Sequence, residues 1–224
     1  MQLRSKYIAK LEDLDGLLSQ LAEKSIADVR AVGRALAGEE GVADDVLAGN
    51  KAGHRLRNAI EDGCLDIMLM QQPLVADDLR QVSAAFRVVS DLAHIDEMTR
   101  DVAYLSQQLT PKAVSHLSAE FAEATERVAA MLEYAVAAFD DADVAAARRV
   151  WEMDDAVDEL YDRCEAAVVD LIREDKAGAK HLPELLMVAK YFERMGDDAQ
   201  HIADWAVFRA TGEHAVHSRD DKNA

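Results

Sequence analysis

The chain has 224 residues, half of them hydrophobic, with 43 Asp and Glu against 25 Lys and Arg and a formal net charge of −18. Such an acidic excess repels phosphate backbones and argues against nucleic-acid binding; it favours cations or a partner with a basic surface. Aromatic residues at 5% argue against a β-sandwich and against base-stacking surfaces, and the length suits one large domain or two small ones.

Helix formers dominate, and punctuation divides the chain into six long helical patterns. The first is predicted from Leu3 to Leu36, on the spacing of Leu11, Leu14, Leu18, Leu21 and Val29, and is closed by Gly38 and Gly41. The second runs from Asp44 to Met70, stopped by Pro73, and the third from Ala76 to Leu109, ahead of Pro111. The fourth spans Lys112 to Phe139. The acidic turn Asp140-Asp141-Ala142-Asp143 then caps a fifth helix reaching Arg173. A loop over 176–180 leads to the sixth, from Pro183 to Gly212. Cys64 and Cys164 fall inside helical patterns and read as small core residues of a reducing compartment. The first residues lack an apolar leader and no stretch reaches the ~20 apolar residues of a membrane span, so a cytoplasmic protein is expected. The tail over 213–224, with His214 and His217, has no apolar period and is read as disordered rather than as a metal site.

The third and sixth helices repeat one another. Val88-Val89-Ser90-Asp91-Leu92-Ala93-His94-Ile95 aligns with Val188-Ala189-Lys190-Tyr191-Phe192-Glu193-Arg194-Met195, and Val102-Ala103 with Ile202-Ala203. The expected fold is therefore all-α, a tandem repeat of two antiparallel three-helix bundles over 1–110 and 111–212.

The fifth helix carries a stripe of Val150, Met153, Val157, Leu160, Cys164, Ala167 and Leu171; the sixth carries Leu185, Val188, Ala189, Phe192, Met195, Gly196, Ala199, Ile202, Ala203 and Ala206. Asp154 and Asp158 lie about 90–130° from the first stripe, and Glu193 and Asp197 about 120–160° from the second, with the same rotational sense. Four carboxylates are thus expected to converge on one groove outside the core. Like charges four residues apart repel, which a bound cation relieves. Oxygen donors suit Mg, Ca, Mn or Fe better than Zn, and His201, one turn beyond Asp197, offers a nitrogen. The spacing does not choose the metal, and such pairs are also common on solvated faces.

Three motifs carry a family resemblance. The segment from Leu186 to Trp205, LMVAKYFERMGDDAQHIADW, is similar to the signature ARYLERIGDHATNIAEW of the PhoU family. Met153-Asp154-Asp155-Ala156-Val157-Asp158-Glu159-Leu160-Tyr161 resembles the family's second acidic motif. Gln71-Gln72-Pro73-Leu74-Val75-Ala76-Asp77-Asp78-Leu79-Arg80 is close to RQPVARDLR, with one extra residue. The resemblance covers residues 1–212. It implies a homodimer of tandem-bundle chains that negatively regulates phosphate uptake and phosphate-starvation signalling. The implied partners are the ATPase subunit of a phosphate ABC transporter and a sensor histidine kinase, through which alone the chain would meet a membrane. It also implies metal ligation by Asp154, Asp158, Glu193 and Asp197, with Mg, Mn, Fe or Zn as the cations in question. The first half departs from that pattern. Ala93, Glu97 and Asp101 stand at the third-helix positions, and Asn50 and His54 at the second-helix positions. Glu97, Asp101 and His54 are weaker candidate ligands there, and a metal site in this half is expected to be weak or absent. His94 is read as a surface residue.

A di-iron carboxylate enzyme is the alternative, since Asp91-x-x-His94 and Asp198-x-x-His201 approach its Glu-x-x-His pairs, but Asp198 and His201 are read as pointing away from the core stripe. No nucleophile–base arrangement or phosphate-cradling glycine loop is present, so the chain is expected not to be an enzyme. The remaining alternative is a structural acidic scaffold.

Overall fold

The computed structural model describes residues 2–70, 76–173 and 181–215. Residues 71–75 of the first-half motif, the 176–180 loop and His217 lie outside the described residues. Among those described there are seven helices and no strand: α1 (Gln2–Leu36), α2 (Val42–Met70), α3 (Ala76–Ser106), α4 (Pro111–Val114), α5 (Ser118–Asp141), α6 (Val144–Arg173) and α7 (Leu182–Thr211).

Local chemistry sets most of these boundaries. Beyond α1, Gly38 and Gly41 take positive φ, and the Glu39 amide bonds back to the Arg34 carbonyl at 3.0 Å. The single fourth helix expected from periodicity is instead two. Thr110 accepts from the Ala113 amide and Pro111 leads into α4, but the next amides, Ser115, His116 and Leu117, bond to carbonyls three or four residues back in a tightened turn. Leu117, with no exposed surface, anchors that corner, and the apolar spacing Val114, Leu117, Phe121 runs through it unbroken. Ala142 adopts the left-handed conformation at φ 51°, and the Asp143 carboxylate then accepts from the Ala145 and Ala146 amides to start α6. α3 stops at Ser106, a little short of the expected Leu109.

Helices α1, α2 and α3 pack on one another as one trio, and α5, α6 and α7 as a second. α1 touches α5, and α3 packs along α7, so the two trios share one continuous apolar core. α3 and α7 run antiparallel, as the pairs His94–Asp198 and Tyr191–Asp101 record. Both are therefore interior on two sides, once toward their own bundle and once toward the other. Phe121, Phe139 and Phe192 fill the second bundle, with the Phe121 and Phe192 rings 6.4 Å apart; Leu14, Leu21, Ile60, Ile67, Leu92 and Ile95 fill the first. Burial of each such side chain contributes roughly 1.5–3 kcal/mol. Cys64 and Cys164 are buried free thiols, pushed up by that burial to about 12 and about 11. No helix among the described residues is long and apolar enough to cross a membrane.

The α7 stripe is buried as expected, but the α6 stripe is rotated. Met153, Ala167 and Leu171 are half-buried, while Ala147, Asp154 and Val168 are buried. α6 lies against both α5 and α7, so its interior sector is broader than its apolar stripe.

Candidate functional site

In the second bundle, α6 carries Asp154 and Asp158 and α7 carries Glu193 and Asp197. Asp154 is only 2% exposed, which corrects the expectation that all four acids lie outside the core. It enters the α6–α7 seam where Gly196 offers no side chain: a Cβ at Gly196 would sit 3.4 Å from Asp154 Oδ1 and 3.3 Å from Val157 Cγ1. Asp158 and Asp197 are half-buried. Glu193 is ion-paired to Lys190 at 2.6 Å, and the same ammonium lies 4.9 Å from the centre of the Tyr161 ring. The hydrogen bond to Glu193 holds the Lys190 ammonium above its ordinary range against desolvation, helped by the charges of Glu193 and Asp197. The donors suit an oxygen-seeking cation, but as folded the balancing charge beside Glu193 comes from Lys190.

The matching seam of the first bundle brings Asn50 and His54 of α2 opposite Ala93 and Glu97 of α3, around a small cleft that Gly53, Arg57 and Asp96 complete. The positions that the family pattern marks on α2 and α3 therefore do face one another. Asp101 does not join them; it accepts a hydrogen bond from the Tyr191 hydroxyl of α7 at 3.1 Å. Sequence reasoning missed the central group of this seam. The Lys24 ammonium of α1 donates to both Asp96 oxygens at 2.7 and 3.0 Å and to Asp28 at 2.6 Å. Burial pulls Lys24 down, but its bonds to Asp28 and Asp96 outweigh that and raise it overall. Asp96 reaches this position because Gly53 faces it, and a Cβ there would overlap its carboxylate. The spacing of Lys24 and Asp28, four residues apart on one face, was the available signal.

A third cluster lies between the bundles. Asp198 of α7 is 5% exposed and faces α3, with Oδ2 2.7 Å from His94 Nδ1 and Oδ1 3.7 Å from His201 Nδ1. Asp198 and His201 do point away from the apolar stripe of α7, and His94, its side chain 40% exposed, does reach the surface; what the stripe does not reveal is that Asp198 is buried all the same. The far side of α7 from its own stripe is the face turned to the other bundle. Asp91 completes the group, pushed up to about 7 first by burial and then by the Asp198 charge, against His201 and Arg87. His201 is raised, chiefly by hydrogen bonding to Asp198 and further by the charges of Asp91, Asp198 and Asp204, against its own desolvation. Nearby, the Trp151 indole donates to Asp204 at 3.0 Å.

Two three-helix bundles joined through α3 and α7, each with a polar seam between its second and third long helices, define a tandem-bundle helical protein with charged seams. Residues 121–206 match the family described as the PhoU domain. The chain is 30% identical over 178 residues to the phosphate-specific transport system accessory protein PhoU homolog of Aquifex aeolicus, covering 79% of each. It is 27% identical over 213 residues to the homolog of Clostridium acetobutylicum, covering 93% of this chain and 96% of that one. Crystal structures of PhoU from Pseudomonas aeruginosa and of the phosphate transport system regulatory protein PhoU from Streptococcus pneumoniae both superpose with a TM-score of 0.84, at 23% and 20% identity, over 92% and 94% of this chain and all of theirs. This chain belongs to the PhoU family.

Proposed function

We propose that the chain is a non-catalytic regulator of phosphate transport that restrains uptake and phosphate-starvation signalling. It acts from the cytoplasmic side by contact with the ATPase subunit of a phosphate ABC transporter and with a sensor histidine kinase. The supporting observation is the end-to-end similarity, in both bundles, to proteins named as phosphate-specific transport accessory proteins. Regulation by contact also needs unpartnered apolar surface. Leu65 and Leu69 on α2, with Leu79 and Phe86 on α3, are exposed at one hairpin, Leu69 by 73%. Val169 and Ile172 on α6, with Met187 on α7, are exposed at the matching hairpin, and Leu65 and Val169 occupy equivalent positions in the repeat. In this reading, residues 1–110 and 111–212 are the two repeats of one platform that works as a homodimer, and each repeat presents these apolar side chains of its second and third long helices to a partner.

Asp154, Asp158, Glu193 and Asp197 supply the cation-responsive part of this proposal. A divalent cation there would displace Lys190 from Glu193 and change the charge of the face beside the second hairpin. The test is deletion of the gene in its host. The expected outcome is phosphate uptake and starvation-gene expression that stay high in phosphate-replete medium, with restoration by the wild-type chain but not by one carrying Leu69→Glu and Ile172→Glu. Unchanged uptake and expression in the deletion strain, with no transporter ATPase captured by the tagged chain, would overturn it.

A further inference from the structure

The α3–α7 seam holds the one place among the described residues where three metal-competent side chains bring donor atoms within 4.8 Å of one another. These are a carboxylate oxygen each from Asp91 and Asp198 and an imidazole nitrogen from His201. We infer that Asp91, Asp198 and His201 form a binding site for a divalent transition-metal ion that clamps the two bundles together. The site uses none of Asp154, Asp158, Glu193 and Asp197, and it stands or falls independently of the function proposed above.

Four observations carry this inference. Donor placement is built by the fold: Asp198 and His201, three residues apart, share one face of α7, and Asp91 meets them from the antiparallel α3. Ligands around a common ion at about 2.0–2.2 Å stand roughly 3–4.4 Å apart, so small side-chain adjustments suffice. Asp91 Oδ2 is buried and accepts no hydrogen bond, an expensive state for a carboxylate oxygen that a metal ion would relieve. Charge is the third observation. In the other two seams the chain supplies its own ammonium, Lys24 on Asp96 and Lys190 on Glu193. Here the permanent cation acting on Asp91 is Arg87, whose guanidinium is drawn over the Trp205 ring at 5.8 Å. Finally, Asp198 Oδ2 is likewise buried without a hydrogen bond, and His94 Nδ1 stands 2.7 Å from it, near enough to orient the carboxylate once a metal is bound. The His201 side chain is 59% exposed, which gives an ion a path from solvent.

The donor set narrows the ion. One imidazole with two carboxylates favours Zn²⁺, Mn²⁺ or Fe²⁺ over Mg²⁺ and Ca²⁺, which prefer all-oxygen shells. Because the ligands come from both bundles, occupancy would tie α3 to α7 and stiffen the arrangement of the two trios.

The test uses the full chain, stripped with chelator, with His214→Ala and His217→Ala to remove the tail imidazoles. Titration with Zn²⁺ and with Mn²⁺ is expected to give a saturable site in the seam, distinct from any at Glu193 and Asp197, and a higher Tm. Asp91→Asn with His201→Gln should weaken this site by roughly 100-fold or more, and His94→Gln alone by about 10-fold. Glu193→Gln with Asp197→Asn should leave it in place. Far-UV circular dichroism checks that each variant is folded. As a readout that needs no ligand variant, added Zn²⁺ should shift the ¹⁵N imidazole resonances of His201. Unmoved His201 resonances, unaltered affinity in the Asp91/His201 variant, or loss of the site in the Glu193/Asp197 variant instead would each overturn the assignment.

Discussion

At matched positions the two bundles meet the same packing demand with opposite chemistry. In the first, Gly53 of α2 leaves space for Asp96 of α3, and Lys24 reaches across from α1 to neutralise it. In the second, the small residue has moved to the other helix: Val157 of α6 faces Gly196 of α7, and Met131 of α5 lies alongside. The acid at that level, Asp154, comes from α6 instead. The first seam is closed by an ammonium held between two carboxylates, whereas the second keeps its lysine at the rim, 42% exposed on Glu193. The part-buried Lys24 group is held between α1 and α3 by two carboxylates, whereas a lysine at the rim with a single partner is more readily exchanged. This contrast supports a structural role for the first seam and the cation-responsive role proposed for the second.

The largest effect should come from Lys24→Met, which leaves Asp28 and Asp96 facing each other with no cation. A loss of about 3 kcal/mol is expected, measured by urea unfolding, and most of it should return when Asp28→Asn and Asp96→Asn are added. A loss below about 1 kcal/mol would break the contrast between the seams. Next comes Gly53→Ala, which drives a Cβ into the Asp96 carboxylate and should cost about 2 kcal/mol. Gly196→Ala meets its neighbours at 3.3 and 3.4 Å and gains about 1 kcal/mol of helix propensity, so it should be near neutral. Equal costs at the two glycines would show that the seams do not differ.

A smaller effect concerns alkali. The Tyr7 phenol is pushed up to about 12, first by burial and then by its hydrogen bond to Asp78 and the charge of that residue. The Lys24 ammonium is held above its usual 10.5. Both groups bind their protons more tightly folded than unfolded, so their stabilisation is complete below about pH 10 and drains away as pH rises through the folded values. The buried Cys64 and Cys164 thiols, also pushed up, add to the loss from about pH 9, so unfolding followed from pH 8 to 12 should show a decline that Tyr7→Phe with Lys24→Met makes shallower without abolishing it. Least of all, Lys190→Ala should change stability by no more than about 0.5 kcal/mol. It should nevertheless strengthen Mg²⁺ or Mn²⁺ binding at Glu193 and Asp197, read by calorimetry. Unchanged or weaker binding would remove Lys190 as the competing charge.

The repeat and the positions of its seams were readable in advance. Asn50, His54, Ala93 and Glu97 do meet, as the family pattern carried onto α2 and α3 implies. The α4–α5 corner was not readable, because Val114, Leu117 and Phe121 keep helical spacing straight through it. The Asp91–Asp198–His201 cluster was hidden for another reason. An angle measured from one apolar stripe recognises one interior face, and α7 has two. Lys24 was passed over because its spacing to Asp28 signals an ion pair on one helix face but not that Asp96 of α3 joins it.

Periodicity, glycine and proline placement and the internal repeat were enough to determine long helices grouped in threes. Hydrophobic spacing and backbone punctuation are local properties and survive in a linear string. Which acids share a seam, which of them the chain neutralises with its own lysines, and where carboxylates from the two halves face an imidazole were decided only by tertiary packing. Electrostatic partnership depends on distance and burial between residues far apart in the chain, here 72 residues for Lys24 and Asp96, and no local pattern encodes it.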